Sequence, residues 1–110
     1  MKTGDIILMP FPFAELTNKK VRPSVVISQT KDKYQDIIVA AISSVVPVEI
    51  SQNELVIEPS LVNKLRARSV FKVDRIVTLK REDVIAPLGK LTEFQLQEFK
   101  RISKDLVDEK

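Results

Sequence analysis

The sequence predicts a small, mainly β fold, a partly closed antiparallel barrel that carries one C-terminal helix. Three observations lead there. Short apolar runs of strand length recur as far as Leu79. Sustained helical periodicity occurs only at the C-terminal end, beyond Gly89. The hydrophobic residues, 44% of the 110, are mostly aliphatic: aromatics make up 5% and tryptophan is absent, so a core built from Val, Ile and Leu is expected. A chain of this length, residues 1–110, reads as a single domain that buries one modest core.

The elements follow in order. Residues 5–9 form a first strand, closed by Pro10 and Pro12. Residues 14–21 are polar and aperiodic, hence a loop, and 23–28 form a second strand. Residues 29–35 are a charged connection. The apolar run within residues 36–42 has the length of a central strand buried on both faces, and Pro47 ends it or marks an edge. Glu54–Glu58 is another short strand, and residues 59–65 suit one or two helical turns. Ser69–Leu79 is a long strand with Phe71, Val73, Val77 and Leu79 on one face and Lys72, Asp74 and Ile76 on the other. Arg75 interrupts the apolar face and is expected at a bulge or barrel rim. Gly89 reads as a hinge or turn before the helix. Thr92-Glu93-Phe94-Gln95 is a capping box, and Leu96, Phe99, Ile102 and Leu106 recur at helical spacing. Two glycines are few for tight turns, so longer loops that carry function are expected.

Composition narrows the chemistry. The absence of cysteine excludes disulfides and thiolate metal sites, and suits a reducing cytosol. The absence of histidine removes the commonest general base near neutral pH, the Ser-His-Asp triad and most zinc sites. Catalysis must use Arg, Lys, Asp, Glu, Ser, Thr or Tyr34, with no metal or other cofactor expected. No signal peptide or membrane-length apolar run is present, so a cytoplasmic location is expected. The net charge of +3 is unevenly spread: residues 61–81 carry seven basic side chains against one acid, Asp74. Such an excess suits a polyanion partner, and equally a solvated surface.

Arg22 is the first candidate. It precedes Pro23, which holds its backbone extended, and a Val/Ile strand follows. A guanidinium fixed there suits a phosphate; the alternative is a pair with Asp5 or Asp36 that orients the loop. Ser43 and Ser44 end the central strand, where a hydroxyl either meets a ligand or bonds its own turn. Lys72 and Asp74, two apart, are either a base with its charge stabiliser or members of cross-strand ion pairs. Pro10-Phe11-Pro12-Phe13 offers either a stacking platform for a base or core packing with the prolines shaping the loop, and Tyr34 is either a second such platform or a surface or partly buried residue.

Taken together, Gly4–Phe13 and Lys20-Val21-Arg22-Pro23-Ser24-Val25-Val26-Ile27-Ser28 resemble the MazF/PemK (Kid-type) toxins of bacterial toxin–antitoxin systems, which are small ribonucleases. The resemblance implies an SH3-like barrel with a C-terminal helix, shared with CcdB, and a homodimer. It implies sequence-specific cleavage of single-stranded RNA by metal-independent transesterification. It also implies inhibition by a cognate antitoxin, with which such toxins bind DNA. It assigns Arg22 to the phosphate and to proton transfer, Ser43 to phosphate orientation, Asp74 to the base and Lys72 to positive potential. Phe11, Phe13, Lys19, Lys20, Ser44 and Arg75 would then contact RNA. The family's Pro-Ile-Thr stands here as Ala41-Ile42-Ser43, and its Arg-x-Asp as Lys72-Val73-Asp74. Lysine lacks the bidentate fork of arginine. The family's site histidine has no counterpart. The competing reading is a non-catalytic toxin or nucleic-acid-binding module of the same fold, such as a CcdB-like gyrase inhibitor.

Overall fold

Short extended segments separated by polar connections form the strands β1 (Asp5–Pro10), β2 (Val21–Gln29), β3 (Ile37–Ser43), β4 (Glu54–Ile57), β5 (Ser69–Leu79) and β6 (Ala86–Lys90), followed by helix α1 (Glu93–Val107). The computed structural model describes residues 1–10 and 21–108. Among these, the six strands form one antiparallel sheet in the order β4-β5-β3-β2-β1-β6, curled into a half-barrel. The mainly β fold with one C-terminal helix is therefore as the sequence predicts.

The sheet buries both faces. Ile6, Val25, Ala40, Ile42, Phe71 and Val73 point to the side covered by α1, whose Phe99 and Ile102 complete that core. Ile7, Met9, Val26, Ile37 and Val39 point to the other side, with Val77, Leu79 and Val84 packed on them. The period-two alternation of β1 to β3 explains the split, and β3 feeds both cores as its unbroken apolar run requires. Phe71 stacks on Phe99, ring centroids 5.4 Å apart, and so ties the helix to the sheet. The capping box forms: the Gln95 N–H donates to Thr92 Oγ1 at 3.2 Å and the Thr92 N–H donates to Gln95 Oε1 at 2.9 Å.

Two expectations are corrected. Phe71, Val73, Val77 and Leu79 do not share a face. Ala40 pairs with Ile76 and Ala41 with Lys72, so residues 73–75 are extra on β5. The irregularity turns the strand over, and Phe71 and Val73 join the helix-side core while Val77 and Leu79 join the other. Arg75 lies in this irregularity, where its break in the apolar pattern placed it. Gly89 is not a hinge; it lies within β6, an edge strand paired only with β1. Pro87 is tolerated there because an edge strand has one unpaired side. Residues 59–65 form a single turn, the shorter of the two expected lengths, closed by the i→i+4 bond of the Lys64 N–H on the Ser60 carbonyl at 2.8 Å. No helix among the described residues is long and apolar enough to cross a membrane.

Candidate functional site

Strand register brings the separated candidates together. Arg22, at the start of β2, lies opposite Met9 of β1. Ser24 pairs with Ala41 of β3 at the end of the β2–β3 ladder, and Arg22 and Ser43 each lie two residues beyond that pair on the two neighbouring strands. Ala41 in turn pairs with Lys72 of β5, and Ser43 with Val70. Side chains two apart share a face, so Arg22, Ser43 and Lys72 stand on one face of three neighbouring strands. With strands about 4.8 Å apart and Lys72 offset by two residues of about 3.3 Å rise, the three span roughly 12 Å.

Each has a defined environment. Arg22 is half-buried and makes no ion pair with Asp5 or Asp36; among the described residues it has no ionic partner. Asp5 instead accepts from the Lys2 N–H at 2.8 Å. Ser43 Oγ accepts from the Val45 N–H at 3.1 Å, a turn contact that orients the hydroxyl. Its own proton has no acceptor among the described residues. Ser24, on the same face as Arg22, has a fully buried hydroxyl without a hydrogen-bond partner.

Lys72 pairs across strands with Glu54, Nζ 3.6 Å from Oε2, and the two side chains are 28% and 12% exposed. The Ser51 N–H donates to Glu54 Oε1 at 2.7 Å. This hydrogen bond, joined by the charge of Lys72, holds the Glu54 carboxyl below its ordinary 4.5 against the opposing effect of burial. The ionic partner of Lys72 is thus Glu54 and not Asp74. Asp74 and Arg75 are exposed in the β5 irregularity, and Asp74 has no ion pair among the described residues. Phe11, Phe13, Lys19 and Lys20 lie outside the described residues. Tyr34 is exposed, with Lys33 Nζ 5.1 Å from its ring centre, and does not line the site.

Around Arg22, toward the helix side of the sheet, opens a groove of about 700 Å³. Leu8, Pro23, Ile42, Leu65 and Leu88 supply apolar surface, and Arg22, Lys64, Arg66 and Ser44 supply polar groups. The candidates Arg22 and Ser44 lie here, whereas Ser43, Lys72, Asp74 and Arg75 do not. Lys64 and Arg66 were not singled out by sequence, although they belong to its basic run. Their placement depends on Asn63, which is fully buried. Asn63 Oδ1 accepts from the Ser60 N–H at 3.0 Å and the Leu65 N–H at 2.9 Å, while Nδ2 donates to the Glu58 carbonyl at 2.8 Å. No periodic pattern announces such a clamp.

A model of the PemK-like, MazF-like toxins of type II toxin–antitoxin systems matches residues 2–106. No curated protein matches the chain significantly. Among solved structures, it is similar to an endoribonuclease in complex with its cognate antitoxin from a mycobacterial species. That likeness has a TM-score of 0.74 at 12% identity, over 100% of this chain and 97% of the other. It is also similar to the Mycobacterium tuberculosis toxin MazF-mt6, with a TM-score of 0.69 at 19% identity over 94% and 96% of the two chains. At these identities the structural likeness is one of fold.

Proposed function

Because the chain belongs to the PemK-like, MazF-like toxins of type II toxin–antitoxin systems, we propose that it is an endoribonuclease that cuts single-stranded RNA at short sequences without a metal ion. The convergence of Arg22, Ser43 and Lys72 on one sheet face carries this reading. The ribose 2′-oxygen attacks the adjacent phosphorus, and the bond from phosphorus to the 5′-oxygen breaks. The products are a 2′,3′-cyclic phosphate and a free 5′-hydroxyl. One proton leaves the 2′-hydroxyl and one reaches the departing 5′-oxygen. The nucleophile comes with the substrate, so the protein must position the phosphate and stabilise charge.

Arg22 holds the phosphate and supplies the proton to the leaving oxygen. Ser43 donates its hydroxyl proton to a phosphate oxygen, a role its turn contact leaves open. Asp74, without an ionic partner among the described residues, is the base. Lys72 adds potential attenuated by Glu54. The partners are messenger RNA, an acidic antitoxin that covers the RNA site, and a second copy of the chain, all in the cytoplasm. A homodimer interface on the order of 1,600 Å² in total is expected, measurable as a dimer by light scattering.

A second reading is a non-catalytic, CcdB-like toxin. The neutralisation of Lys72 by Glu54 and the missing histidine favour it. Incubation of the protein with random-sequence RNA in EDTA separates the two. Cleavage should persist, and a 2′-deoxyribose at the cut position should block it. Arg22→Ala should lower the rate roughly 10²–10³-fold with a melting temperature near wild type, and Arg22→Lys should recover part of the loss. Cleavage of the deoxy substrate, or activity only with added Mg²⁺, would sink the transesterification. A folded Arg22→Ala protein with full activity would remove Arg22 from the site.

A further inference from the structure

The groove beside Arg22 has a use that the cleavage chemistry does not require. Its apolar surface comes from Ile42, Leu65 and Leu88, which belong to or pack on the helix-side core. Ser43 and Lys72 face the other side of the sheet, and Arg22 stands where the two regions meet. Lys64 and Arg66 are both exposed and form the wall contributed by the β4–β5 loop. No Asp or Glu lines the groove, and among the described residues neither cation has an ionic partner.

This wall is built to stay in place. The three hydrogen bonds of Asn63 cross-link residues 58, 60 and 65. Lys64 itself adopts φ +56°, an unfavourable conformation for lysine that the clamp on either side sustains. The Lys90 N–H donates to the Val62 carbonyl at 3.1 Å and docks the loop on β6. Gly89 permits this approach: a Cβ there would lie 2.4 Å from the Val62 oxygen and 2.7 Å from the Asn63 oxygen. Arg68 and Glu58 pair at 2.9 Å across the base of the loop.

We propose that this groove is a subsite for a nucleotide next to the scissile bond, with the base on the apolar surface and its phosphate held by Lys64 and Arg66. The inference rests on the nuclease reading above. The groove's volume lies within the roughly 300–1,000 Å³ of small-ligand sites. A nucleotide joins a flat apolar ring to an anion, and this groove joins apolar surface to cations on a preorganised loop. Lys64 and Arg66 are binding residues here and take no part in bond breaking.

The test uses fluorescent 2′-O-methyl random-sequence RNA, which is not cut, and measures affinity against salt concentration. Each phosphate contact on a single strand contributes about 0.7 to the slope of log affinity against log salt. Lys64→Gln with Arg66→Gln should make the slope shallower by about 1.4, and should raise KM for cleavable RNA while kcat stays within twofold. Lys64→Arg with Arg66→Lys should keep the wild-type slope, which separates lost charge from a damaged loop. An unchanged slope in the glutamine variant, or a loss confined to kcat, overturns the subsite. If the wild-type protein binds RNA with the expected slope change but cuts none, the subsite stands and the nuclease reading falls. If it binds no RNA at all, both fall.

Discussion

Replacing Asn63 by alanine should destabilise the protein by about 3 kcal/mol. The side chain is fully buried and uses both its oxygen and its nitrogen. Its loss leaves the Leu65 N–H without an acceptor, and Leu65 is itself buried, 8% exposed, so water does not readily replace the amide. An unsatisfied buried donor costs roughly 1–3 kcal/mol. The other two bonds end on Ser60 and Glu58, which are exposed, so each loses only the net worth of a hydrogen bond, about 0.5 kcal/mol at the low end of the usual range. At about 4 °C per kcal/mol for a chain of this size, the melting temperature should fall by roughly 12 °C. Urea unfolding followed by circular dichroism gives the free energy, and a thermal scan gives the midpoint. A loss under about 1 kcal/mol would refute the reasoning. It would mean that the loop holds its shape without the amide, and that the wall bearing Lys64 and Arg66 rests on other contacts.

Two further outcomes follow from other contacts. Gly89→Ala places a methyl group against the Val62 and Asn63 carbonyl oxygens, so β6 or the loop must move. A cost of about 1–3 kcal/mol is expected, and an unchanged urea midpoint would contradict the packing described. The Glu54 carboxyl has its pKa lowered in the folded protein by the Ser51 N–H and by Lys72. Its contribution is therefore fully present above 4.5 and is lost as pH falls through the lowered folded value. The stability gap between wild type and Glu54→Gln, measured across acid pH, should close on acidification; a gap that is constant or widens would show that the carboxylate is not favoured by folding.

Much of the candidate site was legible in the chain. Arg22 drew attention because Pro23 restricts it and a β-branched run follows, both local facts. Ser43 drew attention because it ends the longest apolar run. Their proximity was not legible, since it depends on how β2 pairs with β3 and a slip of one residue would turn every side chain to the opposite face. The pairing of Lys72 with Glu54 rather than Asp74 was hidden for the same reason: Glu54 lies directly across from it on β4, a relation set by register alone.

The sequence by itself determined the elements whose signals are local. The capping box of Thr92 and Gln95 with its following 3.6-residue period specified α1, and the apolar run ending at Ile42 specified a strand buried on both sides. The lack of His and Cys narrowed the chemistry by composition alone. Tertiary structure alone decided β6, whose Ala86-Pro87-Leu88-Gly89-Lys90 has no strand periodicity and extends because β1 offers it partners. It also decided the inversion of β5, because identical spacing of apolar residues reads the same whether or not three residues are displaced from the ladder. The basic wall of the groove belongs with these: Lys64 and Arg66 are ordinary surface cations in the sequence. A buried amide and a glycine from a distant strand hold their loop in place. Periodicity reports which side of a strand or helix is apolar; it carries no information on which segments meet, and a site assembled from five segments is a statement about meeting.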